Sequence, residues 1–432
     1  MKQLVIILAF ITVSVFSFAQ SIDKIINKAE VERIEKVLSA DDMQGRLSGT
    51  PGNEKAAAFI ASEFKKAGLQ TTKGADNYLQ HFTMVKTQVS SSNVVLDNNK
   101  LSNDNFVAVS PQHILQVTEK SDYATVNVKA GDNFFAVISN VLDAEKNTIV
   151  WVDTSFTKVF SRLKRLSARY QFATHPNLLF VLTAAKPTTY RLEVAQEVAE
   201  TKLMNVVGIL PGKSKPNEFV IFSGHYDHLG IETDPKKIAG TDSIYNGAND
   251  DAAGTTAVIM LAKYFKALNN NERTIVFAAF TAEELGGFGS QYFSKQFDPA
   301  QVMAMFNIEM IGTESNWGKN SAYITGYEKT DMGKILEKNL TGTNFKFYPD
   351  PYVKEQLFYR SDNATLARLG VPAHTISTSK MDNEPNYHKL SDEIGTLDMA
   401  NMAEIIKAIA ISSKTIIQGT DTPSRVNTAD LK

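Results

Sequence analysis

Apolar and polar positions follow three different rhythms along this chain. From Ser21 to Leu69 the apolar residues recur at helical spacing and predict two amphipathic helices. The second, NEKAAAFIASEFKKAGL, starts after the turn SGTPG and stops at Gly68. YLQHFTM, Tyr78 to Met84, then reads as a strand. Between Val85 and Glu200 short strand-like runs (NVVL, FVAVS, NTIVWVD, NLLFVL) are separated by clusters of Asn, Asp, Ser and Lys. From Met204 onward apolar runs and helical runs alternate: FVIFSG, AAGTTAVIMLAKYFKAL, TIVFAAF, MAMFNIEMIG, VPAHTIST. That alternation predicts an α/β fold, a mostly parallel mixed sheet sandwiched by helices. Residues 20–84 and 201–419 would form this domain, with a β-rich insertion at 85–200 and a polar tail at 420–432.

The charge balance narrows the partners. The 432 residues carry 45 basic and 47 acidic side chains, a net charge of −2, and no block of like charge. A nucleic-acid surface would need a basic excess, so none is expected. The start of the chain, MKQLVIILAFITVSVFSFAQ, has the layout of a secretory signal peptide over residues 1–19, with cleavage after Ala19. Its apolar run of about 13 residues falls short of the ~20 that span a bilayer. No later run is long enough either, so an exported product without a stable membrane span, periplasmic or extracellular, is expected. Cysteine is absent, which removes thiol catalysis and thiolate metal sites. Any metal must therefore be held by His, Asp and Glu.

In parallel sheets ligands bind outside the carboxyl ends of the strands. FVIFSG runs there into His225 and Asp227, and TIVFAAFTA into the adjacent Glu283 and Glu284. MAMFNI leads into Glu309, NGANDDAAG supplies Asp250 and Asp251 ahead of a helix, and NYHKLSDE offers His388 and Asp392. Asp251 is placed to cap that helix. Glu309 in an apolar strand costs several kcal/mol unless it is paired or bound to a cation. Imidazoles and carboxylates suit zinc. One zinc would use part of this set; two zincs about 3.5–4 Å apart, sharing one carboxylate, would use five ligands. Neither a G-x-S-x-G elbow nor an H-E-x-x-H helix is present.

GHYDHLG, NGANDDAAG, AEELGGFGS, NIEMIG and YHKLSDE, in this order, resemble the co-catalytic di-zinc aminopeptidases, the family that also includes glutamate carboxypeptidase and the glutaminyl cyclases. LMNVVGILPG and GRLSGTPGNEKAAAFIASEFKKAGL look like family segments too. The resemblance covers Asp41 to Met84 and Met204 to about Ser413. It implies two zinc ions, with Asp250 bridging, His225 and Glu309 completing one site, and Glu284 and His388 the other. Glu283 would be the general base and acid, and Asp227 would stand behind His225 and fix its tautomer. The implied activity is that of an exported zinc exopeptidase, an aminopeptidase cleaving N-terminal residues from peptides with a zinc-bridged water. A carboxypeptidase, a glutaminyl cyclase or an inactive binding module on the same fold are the alternatives. Three departures stand out. Glu309 occupies a position more often Asp, and the family does not use a histidine such as His228. In RSDNATLARLGVPAH, Asn363 replaces a usual His, beside Arg360 and Asp362 as candidate substrate contacts. The insertion falls where relatives carry a protease-associated domain. It lacks that domain's glycine-rich signature and has instead the basic, helix-like SFTKVFSRLKRLSARY, Ser155 to Tyr170.

Overall fold

The structure, a computed structural model, describes residues 22–142, 144–238 and 240–431. The signal-peptide expectation lies outside these residues. Two compact units are present: the chain up to His81 together with Met204 onward, and Phe82–Leu203.

The first unit is built on a sheet whose strands are β1, the end of Tyr190–Leu210, then β2 (Lys215–His225), β3 (Arg273–Phe280), β4 (Val302–Ile308), β5 (Ser321–Ile324), β6 (Lys346–Pro349) and β7 (Ala373–Ser377). Their order is β6-β5-β7-β4-β2-β3-β1. β2 pairs in parallel with β3 and β4, β4 with β7, and β5 with β6; β1 runs against β3, and β5 against β7. The sheet is mixed and mostly parallel.

Side chains on a strand alternate between faces, and here both faces are apolar. Val220, Phe222, Ile275, Phe277 and Phe306 share a core with the helices Lys28–Leu38, Pro51–Ala67, Ala253–Leu268 and Met399–Ser412. Ile221, Val276, Ala278 and Met305 pack on the other side with Phe293, Leu366 and Ala367. Phe222 stacks on Phe265, Phe277 and Phe306 with ring centroids 5.5, 5.9 and 4.9 Å apart. A fully buried side chain of this size contributes about 1.5–3 kcal/mol. The strands are therefore rigid supports for whatever follows their ends.

In the second unit Phe106–Val109, Leu178–Leu182, Thr148–Val152 and Ala124–Val128 form a four-stranded sheet in that order. Val107, Val150 and Phe180 face the helix Phe134–Leu142. Phe106, Trp151 and Leu179 pack with Leu115, Val117, Leu192 and Val194. The basic run is helical: 3-10 turns at Thr154–Phe156 and Ser161–Leu163 alternate with α-turns at Thr157–Phe160 and Lys164–Ser167, with Phe160 and Leu163 buried and Lys158, Arg162, Lys164, Arg165 and Arg169 exposed. Among the described residues no helix is long and apolar enough to cross a membrane.

One buried histidine away from the strand ends carries a pH prediction. On β7, His374 donates from Nδ1 to the Thr325 carbonyl at 2.8 Å, and its Nε2 lies 2.8 Å from Thr330 Oγ1. Burial lowers its pKa from the ordinary 6.5 to about 4. Between those values the unfolded chain takes up a proton that the folded chain refuses. The contribution of this ring is thus complete above pH 6.5 and lost as pH falls towards 4, in total about 3 kcal/mol. Unfolding midpoints measured across this window should fall less steeply with acid in His374→Gln than in the parent. Equal slopes would clear His374 of the role.

Candidate metal centre

The parallel register brings distant segments to one edge. His225 lies opposite Phe280, and Ser223 opposite Asn307. The residues just past β3 and β4, Glu283–Glu284 and Glu309, therefore reach the level of His225. The Ala248–Ala252 turn ahead of Ala253–Leu268 adds Asp250, through an Asp250–Asp251 peptide that is cis. Close approach is needed here: a Cβ on Gly254 would lie 2.0 Å from the Ile308 carbonyl oxygen. Ala282, Met310 and His388 have φ of 58°, 52° and 54°. This left-handed conformation costs a non-glycine residue about 1–2 kcal/mol. All three are at or beside the gathered side chains, where it turns them into one space.

Asp250 is the centre of the cluster. Its Oδ1 is 3.2 Å from His225 Nε2, and its Oδ2 is 3.2 Å from His388 Nε2. His388 Nε2 is also 3.2 Å from Glu284 Oε2. His225, Asp250 and Glu309 each place one donor atom within 4.8 Å of the others, and so do His228, Asp250 and Glu284. His225 Nε2, Asp250 Oδ1 and Glu309 Oε2 are buried without a hydrogen-bond partner. Orphaned buried polar atoms are costly, and three in one cluster call for a cation. Zinc with bonds of 2.0–2.1 Å in tetrahedral geometry holds neighbouring donors about 3.3 Å apart. The three pairs at 3.2 Å fit that spacing.

The surroundings shape the charges. Burial pushes the Glu283 carboxyl well above the carboxylate range, with Glu309, Asp362 and Glu284 adding to the effect against the pull of His225. Burial and the nearby Asp250 raise Glu309 to about 7, again opposed by His225. A dication would reverse this repulsion. Glu283 lines a pocket of about 240 Å³ together with Glu284, Glu309 and His388.

Asp227 does something the sequence did not suggest. The acceptor for His225 Nδ1 is the Asp227 backbone carbonyl at 3.1 Å, while the carboxylate stands 3.7 Å away. That carboxylate instead accepts the backbone N–H of Glu283 at 3.1 Å and of Glu284 at 3.4 Å, and the Ser48 hydroxyl at 2.9 Å. It holds the glutamate turn. Asp392 plays the same part for the loop that carries Asp250, accepting the N–H groups of Asn249 and Asp250 at 2.9 and 3.0 Å. Its place in YHKLSDE was the only sequence signal. Asp251 accepts from Gly254, as a capping acid should, and from Met310 and His225.

The three candidate substrate contacts part company. Arg360 lines the pocket and pairs with Glu355 at 3.4 Å. Asp362 is buried, and burial raises it to about 6. Asn363 is fully buried. Its amide donates to the carbonyls of Phe358 and Ala373, and its oxygen accepts from Thr375. An amide committed on both sides to the core has nothing to offer a substrate. His228, which the family pattern set aside, lies against Glu284 with Nδ1 2.9 Å from Oε1.

Residues 205–412, just under half of the chain, match the sequence profile of peptidase family M28. Leucine aminopeptidase 1 of Paracoccidioides brasiliensis is 26% identical over 278 residues, 59% of this chain and 66% of the relative, just under two thirds of its length. The fold matches an aminopeptidase from Aneurinibacillus sp. strain AM-1 with a TM-score of 0.54, 17% identity and coverage of 95% of this chain and 97% of the other. It also matches a zinc aminopeptidase from Bacillus subtilis with a TM-score of 0.55, 14% identity and coverage of 91% and 95%.

Proposed function

We propose that this protein is an exported zinc aminopeptidase that holds two zinc ions and removes N-terminal residues from peptides. The observation that carries the reading is Asp250, whose two oxygens each face a different histidine at 3.2 Å. His225 and Glu309 would hold one ion with it, and Glu284 and His388 the other. When bound, such ions supply Lewis acidity to a carbonyl and lower the pKa of a water.

The chain's own residues do the rest. Glu283 takes a proton from the attacking water and delivers it to the departing amine, the two halves of general base and acid catalysis. Asp227 keeps Glu283 in reach by holding its backbone N–H. Met310, Tyr323, Leu357 and Met381 supply apolar wall to the pocket, which favours an apolar first side chain. Arg360 at the same pocket is the one feature that would suit a terminal carboxylate instead.

A panel of free aminoacyl, N-acetylated and C-terminally blocked peptides, with and without chelator, tests the reading. Expected is cleavage of free N-termini only, fastest after Leu-like residues, abolished by chelator and restored by zinc. Cleavage that requires a free carboxyl terminus would make it a carboxypeptidase. Cyclisation of N-terminal Gln would make it a cyclase, and chelator-insensitive hydrolysis would end the metal mechanism.

A further inference from the structure

Building on the two-metal reading, we propose that His228 is a positioning residue that fixes which oxygen of Glu284 is presented to the metal site. Its ring is fully buried, and its Nδ1 is in hydrogen-bond geometry with Glu284 Oε1 at 2.9 Å. An ionised carboxylate has no proton to give, so Nδ1 carries it and donates. Nε2, like His225 Nε2, is buried without a hydrogen-bond partner. With Oε1 occupied by this bond, Oε2 is left facing His388 at 3.2 Å. The carboxylate is thereby restricted to one ligating oxygen.

The ring and its backbone are both packed closely. A Cβ at Gly247, where φ is 52°, would lie 2.5 Å from the His228 Cδ2. Arg46 sits fully buried behind it, its carbonyl accepting the His228 N–H at 3.3 Å. The Arg46 guanidinium donates to the carbonyls of Tyr226, Asn246 and Gly247 at 2.7, 2.6 and 2.8 Å. This scaffold joins the segment that carries His225 to the loop that carries Asp250. Direct ligation is the rival role, since His228 also places a nitrogen within 4.8 Å of Asp250 and Glu284 oxygens. The distances separate the two. The three metal-facing pairs stand at 3.2 Å with no hydrogen-bond alignment, whereas His228 and Glu284 are at 2.9 Å and aligned.

The experiment titrates the stripped full chain with Zn²⁺ alone against a chromophoric chelator, in wild type, His228→Leu and His228→Asn. Partners of this kind change metal affinity by about 10–100-fold. His228→Leu should therefore weaken the second zinc by that factor and leave the first unchanged. In His228→Asn the side-chain amide can donate from the position of Nδ1 and should restore most of the loss. X-ray absorption of the two-zinc wild type, which needs no variant, should count two imidazoles for the pair of ions. Wild-type affinity in His228→Leu, or three imidazoles per pair, overturns the role while leaving the two-metal reading intact. Wild type that binds no second zinc overturns both.

Discussion

Glu283→Gln is expected to keep both zinc ions and to lose at least ~100-fold in kcat on an N-terminal leucyl peptide, the scale of a lost general base. That factor corresponds to about 2.7 kcal/mol of transition-state stabilisation. The change is close to isosteric, and the contact that places residue 283 is its backbone N–H on Asp227, which any side chain retains. No metal-facing atom is removed, because Glu284 rather than Glu283 approaches His388. The loss should fall on kcat with KM little altered, since the proton transfer occurs in the transition state and not in substrate binding. Metal analysis and a thermal melt on the same sample would show intact loading and folding. Undiminished kcat in a fully loaded variant would remove Glu283 from the chemistry.

Asp250→Ala is expected to act through the metals instead. Its carboxylate faces both His225 and His388, each at 3.2 Å. Burial works against its charge, but His225 and His388 hold its carboxyl well below the usual range even so. Without it each ion would lose a ligand, and zinc per chain should fall from about two to below one. Activity should then be lost and zinc should not restore it. The loop itself should survive, because Asp392 grips the backbone N–H groups of residues 249 and 250 and not the missing carboxylate. Bound metal stabilises the folded state by mass action. The gap in Tm between zinc-loaded and chelated wild type should therefore close in the variant. A variant that keeps two zincs would refute the bridge.

The neighbouring glutamates of TIVFAAFTAEELGG illustrate how far the chain can be read without coordinates. Their position past an apolar run marked a strand end, and their chemistry marked a cation or a proton as the partner. What separates them is three-dimensional. Both line the pocket, but Glu284 is drawn between His228 and His388. That division depends on the left-handed Ala282 and on Asp227, a residue from another strand end. Asn363 shows the opposite outcome. In sequence it sits among pocket residues, yet the turn into Asn363–Ala367 points its amide at two carbonyls in the core.

The sequence by itself determined the α/β alternation and a set of candidate donors, histidines and carboxylates at strand ends in a chain without cysteine. Periodicity and ligand chemistry are local properties, readable from residue types and short spacings. Only the tertiary structure decided how each donor is held: the Asp227 carboxylate on the glutamate turn, Asp392 under the loop that carries Asp250, His228 on Glu284. Each of these is a bond between segments from 56 to 143 residues apart. Its partner is selected by strand register and packing, and no local pattern in the chain encodes that choice.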